Sequence, residues 1–384
     1  MNDQIKDTIQ DCNINFLVGS GLSFPFLKTL GNIESLLTEL ERVALPDGEK
    51  RLIRASLYRS YFDGVISKNL EIVKESAGSK GVLENYQQFL RIWNSILLRR
   101  KSTILSKEAN IFTTNVDVFL EKALEDLGLE YNDGFNGRFR PSFSLSNFKK
   151  SRFKKSLHYD NIAEIPVFNL LKLHGSLCWD LDDNEGIIFS SDLGRVTAAI
   201  SKPVSADHVL EIADNCTMAT LSAAAEGKVV DESVDAFVAS YDELLIVNPT
   251  KDKFKHTLLN QTYYELLRLY SNELEKENSV LFVMGFSFAD EHIREITLRA
   301  ANSNPTLIVY VIAHSSKAED QIEGRFGANH TKNDNVVFIF PPRQLKPAAG
   351  LVDQDAFKYD LPTINTKVFA ELFKEEEEAE EAAG

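Results

Sequence analysis

The sequence predicts an α/β fold in which a parallel sheet is doubly wound, with helices on both faces. Two observations predict it. Seven short runs are almost continuously β-branched, aromatic or otherwise apolar, as strands covered on both faces must be. Between many of them lie stretches with apolar residues three and four apart, the spacing of helices that cover such a sheet.

In chain order, the strand-like runs are Ile14–Val18, Asn110–Thr113, Leu170–Leu173, Leu244–Val247, Val280–Met284, Leu307–Ile312 and Val336–Phe340. Helical spacing marks Ile33–Val43, Val116–Leu127, Phe254–Leu274 and Glu291–Ala301. Arg51–Lys101 breaks the alternation. It carries Leu52, Ile53, Leu57, Tyr58 and Tyr61, then Val82, Tyr86, Phe89, Leu90, Ile92, Trp93 and Leu97, which suits two or three amphipathic helices with no strand between them. We read it as a helical module inserted at about 45–105.

A second, irregular insertion is expected at about 180–240. There, Cys178-Trp179 and Ile187–Phe189 flank the turn-rich Asp182–Gly186 and suggest a hairpin. Asp207–Gly227 suggests a helix followed by a mobile loop. These readings give one domain over 1–345 and an extension over 346–384 that ends in a low-complexity Glu-Ala tail.

Composition narrows the function classes. With 384 residues, 43% of them hydrophobic, the chain can bury a large core. No apolar run approaches the roughly 20 residues that span a bilayer, and the polar, acidic start does not read as a signal peptide, so a cytoplasmic protein is expected. Cys12, Cys178 and Cys216 are scattered, which argues against a disulfide framework and cannot supply a four-cysteine zinc site. The net charge is −15; Glu371–Gly384 contributes seven Glu and one Lys, or −6, leaving −9 elsewhere. That balance argues against direct nucleic-acid binding. The basic Phe148–Lys155 stretch reads as a solvated loop, or as a local protein or nucleic-acid contact.

Four motifs carry chemistry. Gly19-Ser20-Gly21-Leu22-Ser23 follows the first strand, and glycines there let a backbone approach a pyrophosphate. Alone it also reads as a tight turn. Thr114-Asn115-Val116-Asp117 follows the second strand, placing polar groups where open sheets bind ligands, although Asn115 or Asp117 also reads as a helix cap. Leu171-Lys172-Leu173-His174-Gly175 presents a histidine at a strand end, as a general base or as a structural residue. Gly285-Phe286-Ser287 again ends a strand; Ser287 is placed for a ribose or phosphate, and Asp290 reads as an N-cap.

Taken together, the four motifs make the sheet Rossmann-like and resemble the sirtuin superfamily over Ile14 to about Phe340. Sirtuins carry Gly-Ala-Gly-x-Ser, Gln-Asn-Ile-Asp, a His-Gly pair and a late Gly-x-Ser, in that order. This chain differs in three ways: it lacks the family's four zinc cysteines, Phe24-Pro25-Phe26-Leu27-Lys28 follows the glycine turn, and Asn115 and His174 stand 59 residues apart. It is more similar to the sirtuin-like NAD hydrolases of bacterial anti-phage defence, as Gly285–Ile293 and Asn248-Pro249 also suggest. The resemblance implies cleavage of NAD to nicotinamide and ADP-ribose without a metal, rather than deacylation. It implies that Asn115 and His174 are catalytic and that Asp117 contacts the carboxamide. It further implies NAD binding by Gly19, Ser20, Gly21, Ser23, Thr114, Asn248, Gly285 and Ser287, a homo-oligomer, and a HerA-type hexameric ATPase partner. Two other readings stay open. One is a non-catalytic module that binds NAD or ADP-ribose, which would need neither Asn115 nor His174. The other is an oligomeric scaffold for an ATPase, which an exposed apolar stripe on the helical module would favour.

Overall fold

The computed structural model describes residues 2–100, 102, 104–213, 215–247, 257–327, 331–344, 354–355 and 357–371. Its centre is a seven-stranded sheet. The strands are β1 (Asn13–Val18), β2 (Glu108–Thr113), β3 (Glu130–Asn132), β4 (Val167–Lys172), β5 (Ser279–Met284), β6 (Ile308–Ile312) and β7 (Val336–Ile339). Their order is β7-β6-β5-β1-β2-β4-β3, and every neighbouring pair is parallel. The sheet is therefore Rossmann-like, with β1 central and the winding direction reversing between β1 and β5.

Alternating side chains enter two separate cores. Phe16, Ile111, Leu170 and Phe282 face the side covered by the helices Ala77–Arg99 and Phe119–Asp126. Leu17, Phe112, Leu171 and Leu281 face the side covered by Thr257–Glu275, Glu291–Ser303 and Ser316–Phe326. Phe16 meets Phe89 and Trp93 at ring-centroid distances of 5.2 and 4.6 Å. On the other side Phe112 meets Tyr270 at 4.9 Å.

A ladder of asparagines fixes the register of four strands. Asn110 donates to Asn15 Oδ1 (2.8 Å), Asn169 to Asn110 Oδ1 (2.9 Å), and Asn132 to Asn169 Oδ1 (2.8 Å). Each amide satisfies its neighbour, so polar residues sit in the sheet without the cost of an unmade bond.

The stretch between β1 and β2 is helical, as expected, with Asp47–Tyr61, Asn69–Val73 and Ala77–Arg99 and no strand among them. Its apolar side chains, including Leu52, Ile53, Leu57, Tyr86, Phe89 and Trp93, are buried within the chain itself. From the extension, Phe369 packs back on Trp93 with centroids 5.0 Å apart; the Glu-Ala tail beyond Lys374 lies outside the described residues.

Several expectations are corrected. Leu244–Val247 is not a sheet strand; it makes one isolated antiparallel bridge, Ile246 to Gly175. Leu244, Leu245 and Ile246 are buried all the same, so the apolar run reflects burial and not a ladder. The short edge strand β3, Glu130–Asn132, is mostly polar and leaves no apolar run in the sequence. Arg152–Lys155 is paired with Ile162–Ile165 rather than a loop, although its residues are solvated. Within Asp207–Gly227 the helix, Met218–Ala225, comes last, after the turn Ala206–His208. It is set by a capping box between Thr217 and Thr220. The hairpin is present, with Trp179–Leu181 against Ile187–Phe189. No helix among the described residues is long and apolar enough to cross a membrane.

Candidate active site

The four motifs leave four adjacent strands at the same edge of the sheet. Val18 is level with both Met284 and Thr113, and Thr113 is level with Lys172. The turns that begin at Gly19, Thr114, Leu173 and Gly285 therefore stand side by side at the carboxyl ends of β1, β2, β4 and β5. This edge includes the β1/β5 switch point, where open α/β sheets form their ligand crevice.

The glycines at this point have a packing reason. Gly19 N–H donates to Met284 O, and Gly21 N–H donates to Gly285 O, both at 3.0 Å. A Cβ on Gly19 would lie 2.4 Å from Gly285 O and 2.7 Å from Phe286 Cα. Gly285 itself has φ +61°, the left-handed region. The two turns are thus locked together backbone to backbone. In this arrangement the N–H groups of Gly19 and Gly21 are engaged by carbonyls at the end of β5 and in its turn.

The turn continues as a short 3₁₀ helix, Ser20–Ser23. Ser20 and Gly21 are half-buried. Ser23 is only 1% exposed. Its hydroxyl donates to Asp117 Oδ2 at 2.8 Å and lies 2.9 Å from the Tyr86 hydroxyl. Asp117 Oδ1 accepts from the Phe119 N–H at 3.2 Å, the start of the helix after β2. Burial raises the Asp117 carboxyl above its ordinary range, against the opposing pull of the Lys172 charge and the Ser23 bond. Burial likewise pushes the Tyr86 phenol well above its ordinary value, and the charge of Asp117 adds to it.

Asn115 is the outlier. It is 6% exposed, yet neither its Oδ1 nor its Nδ2 has a hydrogen-bond partner. Among the described residues it is the one side chain with two such atoms. The Tyr86 phenol stands close enough to Asn115 for hydrogen bonding with it to ease the phenol's upward shift, but neither amide atom makes a contact of good hydrogen-bond geometry. Its backbone is well held, with Asn115 N–H donating to Thr113 Oγ1 (3.0 Å), which in turn donates to Val18 O (2.9 Å). An unmet buried amide costs about 1–3 kcal/mol per group, and buried polar atoms left over in this way call for an explanation.

His174 closes the row. Its Nε2 lies 3.1 Å from Asp290 Oδ2, and its ring lies 6.2 Å from that of Tyr263. Val247 N–H donates to His174 O at 2.8 Å. Gly175, at φ +76°, is pressed under Leu245, where a Cβ would stand 2.1 Å from the carbonyl oxygen. Burial holds the Tyr263 phenol above its usual range, and the nearby Asp290 charge raises it further. Below the row, Lys172 is paired with Glu121 (Nζ to Oε1, 3.1 Å) and donates to Asp117 O, while Ser176 donates to Glu121 at 3.0 Å.

The remaining predicted residues stand apart from this network. Thr114 is half-buried. Ser287 is exposed and its carbonyl accepts from Arg325. Asn248 lies outside the described residues, as does Pro249. Sequence reasoning missed Tyr86, Lys172 and Glu121 as parts of the site and read Asp290 as a cap alone. Lys172 carried a visible signal, a cation within an otherwise apolar strand. Among the described residues no group of three or more His, Cys, Asp or Glu is placed to hold a metal ion.

No protein-family model matches this chain, and no curated protein matches it. A functional reading therefore rests on the four motifs and on the geometry of the strand ends.

Proposed function

We propose that this protein is an NAD glycohydrolase, cleaving the bond between nicotinamide and ribose. The observation that carries the reading is Asn115: a buried amide whose polar atoms make no well-formed hydrogen bond within the protein, one strand away from a histidine–carboxylate pair, at the carboxyl edge of a Rossmann-like sheet. A substrate hydroxyl or the attacking water supplies the missing partner.

The chemistry demands little of the protein. The C1′–N1 bond breaks with its electron pair passing to nicotinamide, which leaves neutral. The ribose ring oxygen shares the positive charge left behind. Water adds to C1′, His174 takes the released proton, and the product is ADP-ribose. Positioning and electrostatics then account for most of the rate. Asn115 orients the water or a ribose hydroxyl. Asp117 acts from behind it, holding Ser23 and the turn. Gly19, Ser20 and Gly21 border the same crevice on the β1 side.

Incubating the purified chain with NAD and following both products by chromatography tests the reading. Equimolar nicotinamide and ADP-ribose are expected. NAD retained intact on the protein would mark a binding module instead, and cleavage that requires an acyl-lysine peptide would mark a deacylase.

A further inference from the structure

Asp290 uses its two carboxylate oxygens for different purposes. Oδ1 accepts from the N–H groups of His292 (2.9 Å) and Ile293 (3.1 Å), capping the helix Glu291–Ser303. Oδ2 faces His174 Nε2 at 3.1 Å. A carboxylate offers only lone pairs, so in a neutral imidazole the hydrogen of this contact belongs to Nε2 and the other ring nitrogen is left with its lone pair. The carboxylate is not free to turn away, because Oδ1 is bound to two backbone amides. The backbone that carries the ring is anchored as well, through His174 O and the pressed Gly175 beside it.

We infer that Asp290 is a positioning residue that fixes His174 in its Nε2–H tautomer and so makes Nδ1 the base atom. This rests on the reading of His174 as the base in NAD cleavage. When Nδ1 takes the proton from water, the cation that forms faces the Asp290 carboxylate through Nε2–H, which orients and stabilises it. The carboxylate itself keeps its charge throughout.

Asp290→Asn separates the two duties of the residue. Asparagine caps a helix as well as aspartate does, so its Oδ1 keeps the two amides and its NH₂ turns toward Nε2. An NH₂ group donates; Nε2 must then accept, and the ring is driven to the Nδ1–H tautomer. The measurement is nitrogen NMR of the full-length chain labelled with ¹⁵N-histidine, with the His174 signal identified by its loss in His174→Gln. The expected result is Nε2–H in the wild type and Nδ1–H in Asp290→Asn, with kcat for nicotinamide release reduced about 100-fold or more and KM nearly unchanged. Asp290→Ser retains a cap and lacks the carboxylate, so its Nε2–H fraction falls below that of the wild type; it carries the same comparison if Asp290→Asn does not fold. An unchanged tautomer in both variants overturns the inference, and so does a switched tautomer with wild-type kcat. A wild-type chain that cleaves no NAD sinks the functional reading instead, and the NMR result still decides whether Asp290 sets the tautomer.

Discussion

Ser23, at the end of the glycine turn, donates its hydroxyl hydrogen to Oδ2 of Asp117 at 2.8 Å. The bond ties the turn after β1 to the turn after β2, and the Tyr86 hydroxyl lies 2.9 Å from Ser23 Oγ in the same buried cluster. A serine that a sequence motif assigns to a phosphate is thus a structural member of a buried network. What it holds in place is the segment that carries Asn115.

Removing that hydroxyl is expected to cost stability. In Ser23→Ala the buried Asp117 carboxylate loses a donor, which corresponds to about 1–3 kcal/mol. Ser20→Ala, at a half-buried position of the same turn, is expected to stay within about 0.5 kcal/mol of the wild type. Urea denaturation of the three proteins checks this; equal midpoints would mean that the Ser23–Asp117 bond contributes nothing.

Gly19→Ala is expected to be worse than Gly21→Ala. The added Cβ at position 19 meets backbone at 2.4 Å, whereas at position 21 the nearest atoms, also backbone, are 3.0 Å away. Backbone cannot move aside as a side-chain tip does, so the β1 and β5 turns must separate, at a cost of about 2 kcal/mol or more. Thermal melts of the two variants decide it, and a Gly19→Ala protein as stable as the wild type would show that the two turns are not locked.

A pH dependence follows from Asp133, at the end of β3. Burial raises its carboxyl from 3.8 to about 6, against the pull of its bond from the Phe135 N–H. Because the folded value is the higher one, the contribution of the neutral acid is complete below about pH 4 and is lost as pH rises through about 6. Asp133→Asn stays neutral across that window. Its stability relative to the wild type should therefore grow by about 2 kcal/mol between pH 4 and pH 7. A difference that does not change with pH would contradict the assigned burial.

Much of this architecture is legible in the sequence because burial on both faces leaves a plain apolar signature. Val280–Met284 and Leu307–Ile312 are read as strands for that reason, and both pair in the sheet. The same signature misleads at Leu244–Val247, which is buried without a ladder. It also falls short at Asn169, which separates the apolar Val167-Phe168 from Leu170-Leu171 within β4, so that the strand is read only from Leu170. Asparagine is a poor strand former alone, and only its partners Asn110 and Asn132 make it acceptable there. Site residues are legible singly, as turns after strands. Their pairing is not, since Ser23 and Asp117 are 94 residues apart and His174 and Asp290 are 116 apart. Asp290 shows the limit most clearly: its cap is local and readable, while its contact with His174 exists only once β4 and β5 flank the central pair of strands.

The central claim is that Asn115 and His174 act on NAD rather than on the fold. The direct measurement is nicotinamide release by the purified wild type, Asn115→Ala and His174→Ala, each accompanied by a melting curve. Asn115 has no well-formed side-chain hydrogen bond to lose, and His174, at a strand end, gives up its partly exposed contact with Asp290. Asn115→Ala, which removes unmet buried polar atoms, is therefore expected to melt at or above the wild type and His174→Ala a little below it, both still folded and both cleaving NAD about 100-fold more slowly or worse. Near-wild-type nicotinamide release by a folded His174→Ala protein would contradict the account.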